Sequence, residues 1–238
     1  MSGHSKWANI KRKKEANDKV KSNIFSKLSR QITVAVIEGG GITDPEANVK
    51  LRLAIEKARA SNMPKDNIKR AIERGVGPEK DQLKEVVYEG FAPFGVALMI
   101  LAHTDNQNRT LSEVKNILNH HEGKLGNVGS VSYLFQKCGQ IVFDKSQVSQ
   151  EKIFEISEKI SAFDIEEDET RFYLYIPYEN LGKIKDVLKD VQYVGAELDF
   201  RPQSPILIEE DEKLEKISQL VEALEELEDV QKVFTNLK

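Results

Sequence analysis

Residues 163–176, FDIEEDETRFYLYI, contain two predicted strands, 163–167 and 170–176, joined by a polar turn. A predicted helix over 150–161 and a strand at 139–143 precede this hairpin. A helix over 178–191 and a strand at 196–200 follow it. The resulting order, β-α-β-β-α-β, is that of a ferredoxin-like domain.

The segments on either side of this domain each hold an incomplete set of elements. The earlier segment shows three strands, the last at 130–135, and a helix opened by the capping box Thr110-x-x-Glu113. The tail shows a strand at 206–208, an acidic helix over 211–228 and a strand at 230–237. We expect the tail to dock on the earlier segment. A separate C-terminal subdomain is the alternative.

The N-terminal part has the period of helices. Three are predicted, at 23–38, 46–60 and 64–74, with Gly39-Gly40-Gly41 ending the first and Gly75 the third. The predicted fold class is α+β multidomain, in which an N-terminal three-helix domain is followed by two ferredoxin-like α+β domains, one inserted in the other. The domains are a basic arm plus three helices at 1–77, a discontinuous α+β domain at 78–137 with 203–238, and the inserted domain at 138–202.

The charge of the chain is divided unevenly along its length. The formal net charge is −4, but residues 1–80 carry 18 Lys and Arg against 9 Asp and Glu, which is +9. The remaining 158 residues carry 17 against 30, which is −13. A basic N-terminal part on an acidic body favours polyanion binding by the basic part.

Composition excludes several classes of protein. The single cysteine, Cys138, excludes an internal disulfide and a cysteine-based zinc site, and it fits a reducing compartment. No apolar segment follows the basic residues at the start, so we expect no signal peptide. The longest apolar run, 96–102, is far shorter than the roughly 20 residues that a membrane span needs. We expect a cytoplasmic protein.

Cationic side chains of the N-terminal part are the candidate nucleic-acid contacts, because clustered Lys and Arg neutralise phosphates and release counterions. Those of the basic arm, residues 1–22, are Lys6, Lys11, Arg12, Lys13, Lys14, Lys19 and Lys21. Those of the helices are Lys27, Arg30, Lys65, Lys69, Arg70 and Arg74. Trp7 joins them as a side chain that either stacks on a base or fixes the arm to the protein. The third helix could enter a major groove, but it has no Asn or Gln pair to read adenine, so phosphate contact without base readout fits equally well.

The remaining motifs do not indicate catalysis. Gly39-Gly40-Gly41 lacks the Lys-Ser/Thr of a P-loop and is interpreted as a helix end. The spacing of His103, Asp105, His120 and His121 matches no common metal site. The polar loop 104–109 is typical of helix capping, with anion contact by Arg109 as the alternative. We therefore expect no enzyme activity, no cofactor and no metal.

Several motifs resemble those of the YebC family, which includes the mitochondrial translational activator of cytochrome c oxidase. They are Gly3-His4-Ser5-Lys6-Trp7-Ala8-Asn9-Ile10-Lys11, Glu38-Gly39-Gly40-Gly41 with Asp44-Pro45, Asn62-Met63-Pro64-Lys65-Asp66-Asn67-Ile68 with Arg70-Ala71-Ile72, Tyr88-Glu89-Gly90, Thr104-Asp105-Asn106 with Asn108-Arg109-Thr110, and Gly129-Ser130-Val131. The chain departs from the family pattern at Val20 and Ser22, and in having Ile42-Thr43 before Asp44.

The resemblance implies a three-domain cytoplasmic protein that is not an enzyme. Members of the family have been described as DNA-binding transcriptional regulators and as ribosome-associated factors that help translation through proline-rich stretches. We predict a nucleic-acid-binding regulator of gene expression, a DNA-binding transcriptional regulator in the first place. The alternative is a translation factor that binds ribosomal RNA or the ribosome. No membrane partner and no small-molecule substrate are expected.

Overall fold

The computed structural model describes Trp7 and residues 21–78, 83–188 and 191–238, without the side chains of residues 21–23. It divides into two compact units. One consists of Lys13–Phe135 with Pro202–Lys238, and the other of Gln136–Arg201 with Met1–Arg12. Each unit contains a four-stranded sheet. In the unit that contains Lys13–Phe135, three helices precede the sheet in the sequence. The predicted α+β fold class is confirmed, and the predicted domain limits stay predictions.

The described helices and strands are numbered here in chain order. The helices are α1 Lys21–Glu38, α2 Val49–Ala60, α3 Lys65–Val76, α4 Gln107–His120, α5 Gln150–Lys159, α6 Ile184–Val187 and α7 Asp211–Glu226. The strands are β1 Lys84–Phe91, β2 Ala97–Thr104, β3 Lys124–Leu125, β4 Phe135–Asp144, β5 Asp164–Glu167, β6 Arg171–Pro177, β7 Gly195–Pro202 and β8 Val230–Thr235.

The three N-terminal helices close around one apolar core. Its buried side chains come from α1, α2, α3 and the turn between α2 and α3, and they are Leu28, Ile32, Ala35, Val36, Leu51, Ala54, Ile55, Ala58, Met63, Ile68 and Ala71. Because every member of this cluster belongs to the helical part, these helices have a core separate from that of the sheet that follows them.

The Gly39-Gly40-Gly41 turn ends α1, as predicted. The Gly40 amide donates to the Ile37 carbonyl (3.0 Å) and the Gly41 amide to the Val36 carbonyl (2.9 Å), which is the Schellman arrangement. Gly40 stands at φ +70°, a left-handed conformation that glycine adopts without strain. After this turn α2 begins at Val49 rather than at 46, because Asn48 caps it by accepting the Leu51 amide at 3.1 Å.

The sequence predicted that Gly75 ends the third helix, and this prediction is wrong. It is a buried residue inside α3, and Gly77 is the C-cap. A Cβ atom at Gly75 would lie 2.6 Å from the Cβ of Val36 on α1 and 3.0 Å from the Thr33 carbonyl oxygen. Glycine is therefore required here by the close approach of two helices, which the local sequence cannot show.

The sheet of the first unit has the strand order β3-β1-β2-β8, so the C-terminal strand pairs with β2. The predicted strand at 130–135 is wrong: Ser132–Leu134 form a 3₁₀ turn, and Lys124–Leu125 supply the third strand. The Glu89 carboxylate accepts the Val131 and Ser132 amides, which a strand would have used in its ladder. The predicted strand at 206–208 is reduced to one bridge between Ile206 and Leu237.

The helix after β2 begins three residues before the predicted capping box. Asn106, not Thr110, is the N-cap of α4, and its side chain accepts the Arg109 amide at 3.1 Å. The Thr110 hydroxyl is instead buried and bonded across the domain to Asp229. At the other end of the domain, α7 stops at Glu226 rather than at 228, because Leu227 leaves helical geometry with ψ 134°.

The sheet of the second unit has the order β5-β6-β4-β7, which follows from the β-α-β-β-α-β sequence of its elements. The helix predicted over 178–191 is broken into a 3₁₀ segment, Tyr178–Lys183, and the short α6. Gly182 in this segment is a poor helix former. Gly139 on β4 lies directly under Leu181 of the same segment, since a Cβ there would come within 2.5 Å of the Leu181 side chain.

Candidate nucleic-acid interface

The outer face of α3 carries a basic ridge, which we define as Lys65, Lys69, Arg70 and Arg74. All four side chains are exposed. The first and last are nine residues apart, which at about 1.5 Å per residue gives a ridge of about 14 Å. Such a length matches roughly four phosphates of one strand at about 3.4 Å each along the axis.

The four cations of the basic ridge are not equally available. Lys69 lies 3.8 Å from Glu73, and Arg70 donates to the Asn67 side chain and, at 3.4 Å, to the Asp66 carbonyl oxygen. Lys65 and Arg74, by contrast, form no ion pair with any residue that the structure describes. The two ends of the basic ridge are therefore the cations most open to a ligand.

The basic ridge stands on a rigid support. The Asn62 backbone adopts φ +59°, which asparagine tolerates better than most residues, and the turn it makes carries the chain directly from α2 into α3. Met63 is buried in the helical core just before α3 begins. On α1, the Thr33 hydroxyl donates to the Ala71 carbonyl of α3 at 2.9 Å. These contacts fix the angle at which the exposed face is presented.

Lys27 and Arg30, the two candidate cations on α1, lie elsewhere and are engaged with the acidic part of the same unit. The Lys27 ammonium donates to the Glu225 carbonyl at the end of α7, and burial lowers its pKa although Glu225 opposes the change. The Arg30 guanidinium donates to Glu228 at 2.7 Å and to the Asp229 carboxylate. In this conformation both side chains hold the helices to the sheet domain and are not presented to solvent with the basic ridge.

Asp229 is the centre of this junction. Its carboxylate is only 3% exposed, and it accepts hydrogen bonds from Thr110 (2.6 Å), Arg109 (2.7 Å), Thr104 (3.0 Å) and Arg30. Burial by itself would raise the pKa of this carboxyl. The bonds from Thr110, Arg109 and Arg30 outweigh burial and leave the pKa below its ordinary value. Asp229 therefore stays ionised and ties together α1, the end of β2 and the start of α4.

The polar loop 104–109 serves this junction. Arg109 donates to Asp229 at 2.7 Å and to Asp105 at 2.8 Å, and its hydrogen bond to Asp229 is the main cause of its raised pKa. The Thr104 hydroxyl accepts the Asn106 amide at 2.9 Å. These contacts match the helix-capping interpretation of the loop. The anion that Arg109 meets in this structure is a carboxylate of its own chain.

Sequence reasoning missed the role of Glu89. Its carboxylate is buried and accepts the amides of Gly129 (2.7 Å), Val131 (2.6 Å) and Ser132 (2.9 Å). Burial acts to raise its pKa, but the three amide bonds prevail and lower it. The same loop exposes Val128 almost completely, at 96%. The available signal was the pairing of Tyr88-Glu89-Gly90 with Gly129-Ser130-Val131, two motifs that meet only in the folded domain.

The basic arm lies mostly outside the described residues. This applies to Lys6, Lys11, Arg12, Lys13, Lys14 and Lys19, and to the side chain of Lys21. Trp7 is described: it is 5% exposed and belongs to the unit that contains Gln136–Arg201. A buried indole favours the interpretation in which Trp7 fixes the arm to the protein over the one in which it stacks on a base.

The three histidines among the described residues do not converge on one point. His103 is buried with its Nε2 atom 3.2 Å from Glu85, and His120 and His121 contact one another edge to face at 5.2 Å between ring centroids. Among the described residues no group of three His, Cys, Asp or Glu side chains is arranged to hold a metal ion. No helix in the described ranges combines the length and apolar character that crossing a bilayer requires.

Known proteins resemble this chain over its whole length. Proteins named "Probable transcriptional regulatory protein" from Aquifex aeolicus and Thermotoga maritima are each 44% identical to it over 241 residues. These alignments cover 100% of this chain and 96% and 94% of the two relatives. The crystal structure of a conserved hypothetical protein from Aquifex aeolicus superposes with a TM-score of 0.85 at 42% identity, covering 93% of this chain and 91% of that one.

Two family descriptions account for nearly all residues. "TACO1/YebC protein N-terminal domain" matches residues 5–78, which include the basic arm and the three helices. "TACO1/YebC second and third domain" matches residues 83–237, which include both sheets. The gap between the two matches falls between α3 and β1. This chain therefore belongs to the TACO1/YebC family.

Proposed function

We propose that this protein is a non-enzymatic regulator of gene expression that binds nucleic acid through its N-terminal part, and that it acts in the cytoplasm. The observation that carries the proposal is the basic ridge on α3, exposed on a domain with its own core. The charge division supports it, because residues 1–80 carry +9 and the rest of the chain −13. The negative charge of the remaining residues disfavours their contact with a polyanion, which leaves the helical domain as the better binding surface.

DNA is the first candidate ligand, and the protein would then regulate transcription. The names of the relatives support this choice, since they are called transcriptional regulatory proteins. The basic arm, with Lys6, Lys11, Arg12, Lys13 and Lys14, would add phosphate contacts to the same ligand. In this proposal Lys65 and Arg74 make the main contacts from the basic ridge.

Ribosomal RNA is the second candidate, and a specific observation favours it. Asn67, an amide side chain on the same helix, is bonded to Arg70, and the acidic residues Asp66 and Glu73 lie between the cations in the sequence. Such a surface touches phosphates but offers little for reading base edges in a major groove. Shape and phosphate contact are the usual means of recognising folded RNA.

A direct comparison separates the two candidates. The full-length protein is tested for co-sedimentation with ribosomes and for retardation of promoter fragments, both at about 0.15 M salt, where weak non-specific binding is reduced. Selective retardation of promoter fragments supports the transcriptional role. Ribosome binding without selectivity among DNA fragments overturns that role and supports the translational one. Binding to neither overturns the proposed function.

The contribution of the basic arm is tested separately. We expect Lys13→Ala with Lys14→Ala to weaken binding and to flatten the dependence of log K on log salt by about 0.9 per lost duplex phosphate contact. The double variant should keep the circular-dichroism spectrum and unfolding midpoint of the parent. An unchanged affinity would remove the arm from the interface.

A further inference from the structure

One face of α1 points away from the helical core and is nevertheless covered. Lys27, Arg30 and Val34 follow one another at spacings of three and four residues, which places them on the same side of the helix. Val34 is 3% exposed but is not part of the helical core cluster. The Arg30 side chain is 17% exposed. This face is where the helical domain meets the sheet domain of the same unit.

The surface that covers it is acidic. The segment from Glu225 to Asp229, which comprises the last two residues of α7 and the turn before β8, supplies a helix-end carbonyl to Lys27 and two carboxylates to Arg30. Arg30 also lies 3.4 Å from the His103 carbonyl oxygen at the end of β2. We call this set of contacts, from Lys27 and Arg30 to Glu225, Glu228 and Asp229, the α1 latch.

The chemistry of the α1 latch is that of phosphate recognition. A guanidinium that pairs with two carboxylate groups presents the same planar donors that bind a phosphodiester, and carboxylate and phosphate compete for them. The partial negative charge at the C-terminus of α7 adds to the attraction for Lys27. The segment 225–229 thus presents to α1 the kind of negative charge that a nucleic-acid backbone carries.

The α1 latch can open without leaving a buried charge unpaired. If Arg30 withdraws, the Asp229 carboxylate keeps its bonds from Thr104, Arg109 and Thr110. Glu228 returns to solvent, where it is already 58% exposed. The helical domain also keeps its own core, because no member of that cluster comes from the sheet domain. Opening has an apolar cost, because it exposes Val34, which is 3% exposed in the closed state.

We propose that the segment 225–229 is an intramolecular phosphate mimic that holds Lys27 and Arg30 in a closed state, and that a bound polyanion displaces it and recruits both cations. The inference rests on the proposed function and adds regulation to it. The closed protein offers the basic ridge and the basic arm. The open protein adds two cations on the neighbouring helix, so the affinity of the nucleic-acid site depends on the state of the α1 latch.

The opening is measured directly by energy transfer between two dyes. Ala60→Cys at the end of α2 and Ser204→Cys just after β7 place one label on each domain at exposed positions, while Cys138 is fully buried. We expect the transfer efficiency to change when an RNA hairpin or a DNA duplex of unrelated sequence is added at about 0.15 M salt. In protein alone, rising salt should produce the same change before circular dichroism reports unfolding.

Glu228→Gln weakens the α1 latch without touching the buried Asp229. An exposed ion pair of this kind is worth up to about 1 kcal/mol, so we expect nucleic-acid affinity to rise by about two- to fivefold and the salt-induced opening to move to lower salt. Glu212→Gln, in the first turn of α7, is the matched control, because it removes the same charge from an exposed site at the other end of that helix. It should behave as the parent does.

Two results overturn the proposal. One is an unchanged transfer efficiency when either probe is bound, and in that case the proposed function stands while the mimic is rejected. The other is equal affinity of Glu228→Gln and Glu212→Gln for both probes. Binding of neither probe overturns displacement by polyanions of unrelated sequence, whereas the proposed function is decided by the comparison of ribosomes with promoter fragments. The salt titration, which needs no nucleic acid, still decides whether the α1 latch opens.

Discussion

Arg30 on α1 and Arg109 on α4 donate to different oxygens of one buried carboxylate, that of Asp229. The two arginines come from parts of the chain 79 residues apart in the sequence. The Arg30 side chain donates to groups of the sheet domain, across the interface between the two domains. Arg109 also takes part in capping α4, because its amide donates to the Asn106 side chain. The single aspartate therefore joins a domain interface to the internal structure of the sheet domain.

Removal of the Asp229 carboxylate should destabilise the protein strongly. We expect Asp229→Ala to lower the free energy of unfolding by about 3 kcal/mol, the scale for breaking a buried ion pair. Urea denaturation followed by circular dichroism measures the loss. Glu228→Ala, which removes a mainly exposed carboxylate from the same arginine, should cost about 0–1 kcal/mol. Equal losses for the two variants would contradict the central place of Asp229.

Stability should fall at acid pH, because the folded-state pKa values of Glu89 and Asp229 are both lowered. A carboxyl with a depressed folded pKa contributes its full stability above the unfolded value of about 4 and loses it as the pH drops through the folded pKa. We expect the urea midpoint to be flat above about pH 5 and to fall below pH 4. The fall should be shallower in Asp229→Ala, and an identical pH profile would argue against the assignment.

Glu89 should control the order of the loop that it holds. In Glu89→Gln one oxygen becomes an amide group, which cannot accept from the backbone. We expect a loss of about 1–3 kcal/mol, the cost of leaving buried donors without a partner. Hydrogen exchange at the Gly129, Val131 and Ser132 amides should accelerate more than exchange in β2. The exposed Glu122→Gln serves as control, and unchanged protection of the three amides would reject the role of Glu89.

Gly75→Ala tests the close approach of α1 and α3. The added Cβ would meet Val36 at 2.6 Å, so we expect overpacking to cost about 1–3 kcal/mol in thermal or urea unfolding. Val36→Ala in the same chain should not recover that loss, because alanine keeps the Cβ atom that the new methyl group meets. Gly77→Ala is the control, since the nearest atom to a Cβ there is at 3.4 Å. A neutral Gly75→Ala would show that the helices can separate freely.

Lys65 and Arg74, the two ends of the basic ridge, should make its main contribution to nucleic-acid affinity. Lys65→Ala with Arg74→Ala is expected to weaken binding to all nucleic-acid sequences alike and to reduce the salt slope by about 1.8 on a duplex, or 0.9 for each cation. Fluorescence anisotropy across a series of salt concentrations measures both quantities. Lys115→Ala with Lys216→Ala removes the same charge from exposed helix positions of the sheet domain and should change little.

Most of the architecture was predictable because it follows from short-range patterns. The apolar residues of α1 recur every four positions, and the order of elements around residues 163–176 identified a ferredoxin-like arrangement. The errors occurred where a distant group decides the local structure. Residues 130–135 alternate like a strand, but the Glu89 carboxylate takes their amides. Gly75 looks like a helix end, but Val36 on another helix requires it.

The sequence by itself determined the charge division, the fold class and the family, since composition, period and motifs are properties of neighbouring residues. The tertiary structure decided what each cation does. Arg30 and Arg74 are the same side chain on the same basic domain. Arg74 faces solvent, while Arg30 faces two carboxylates that lie almost 200 residues away along the chain, as their separation of 198 and 199 positions shows. The net charge of a segment is the sum of its residues and can be read from the sequence. The partner of one charged side chain depends on which groups folding brings within about 4 Å of it.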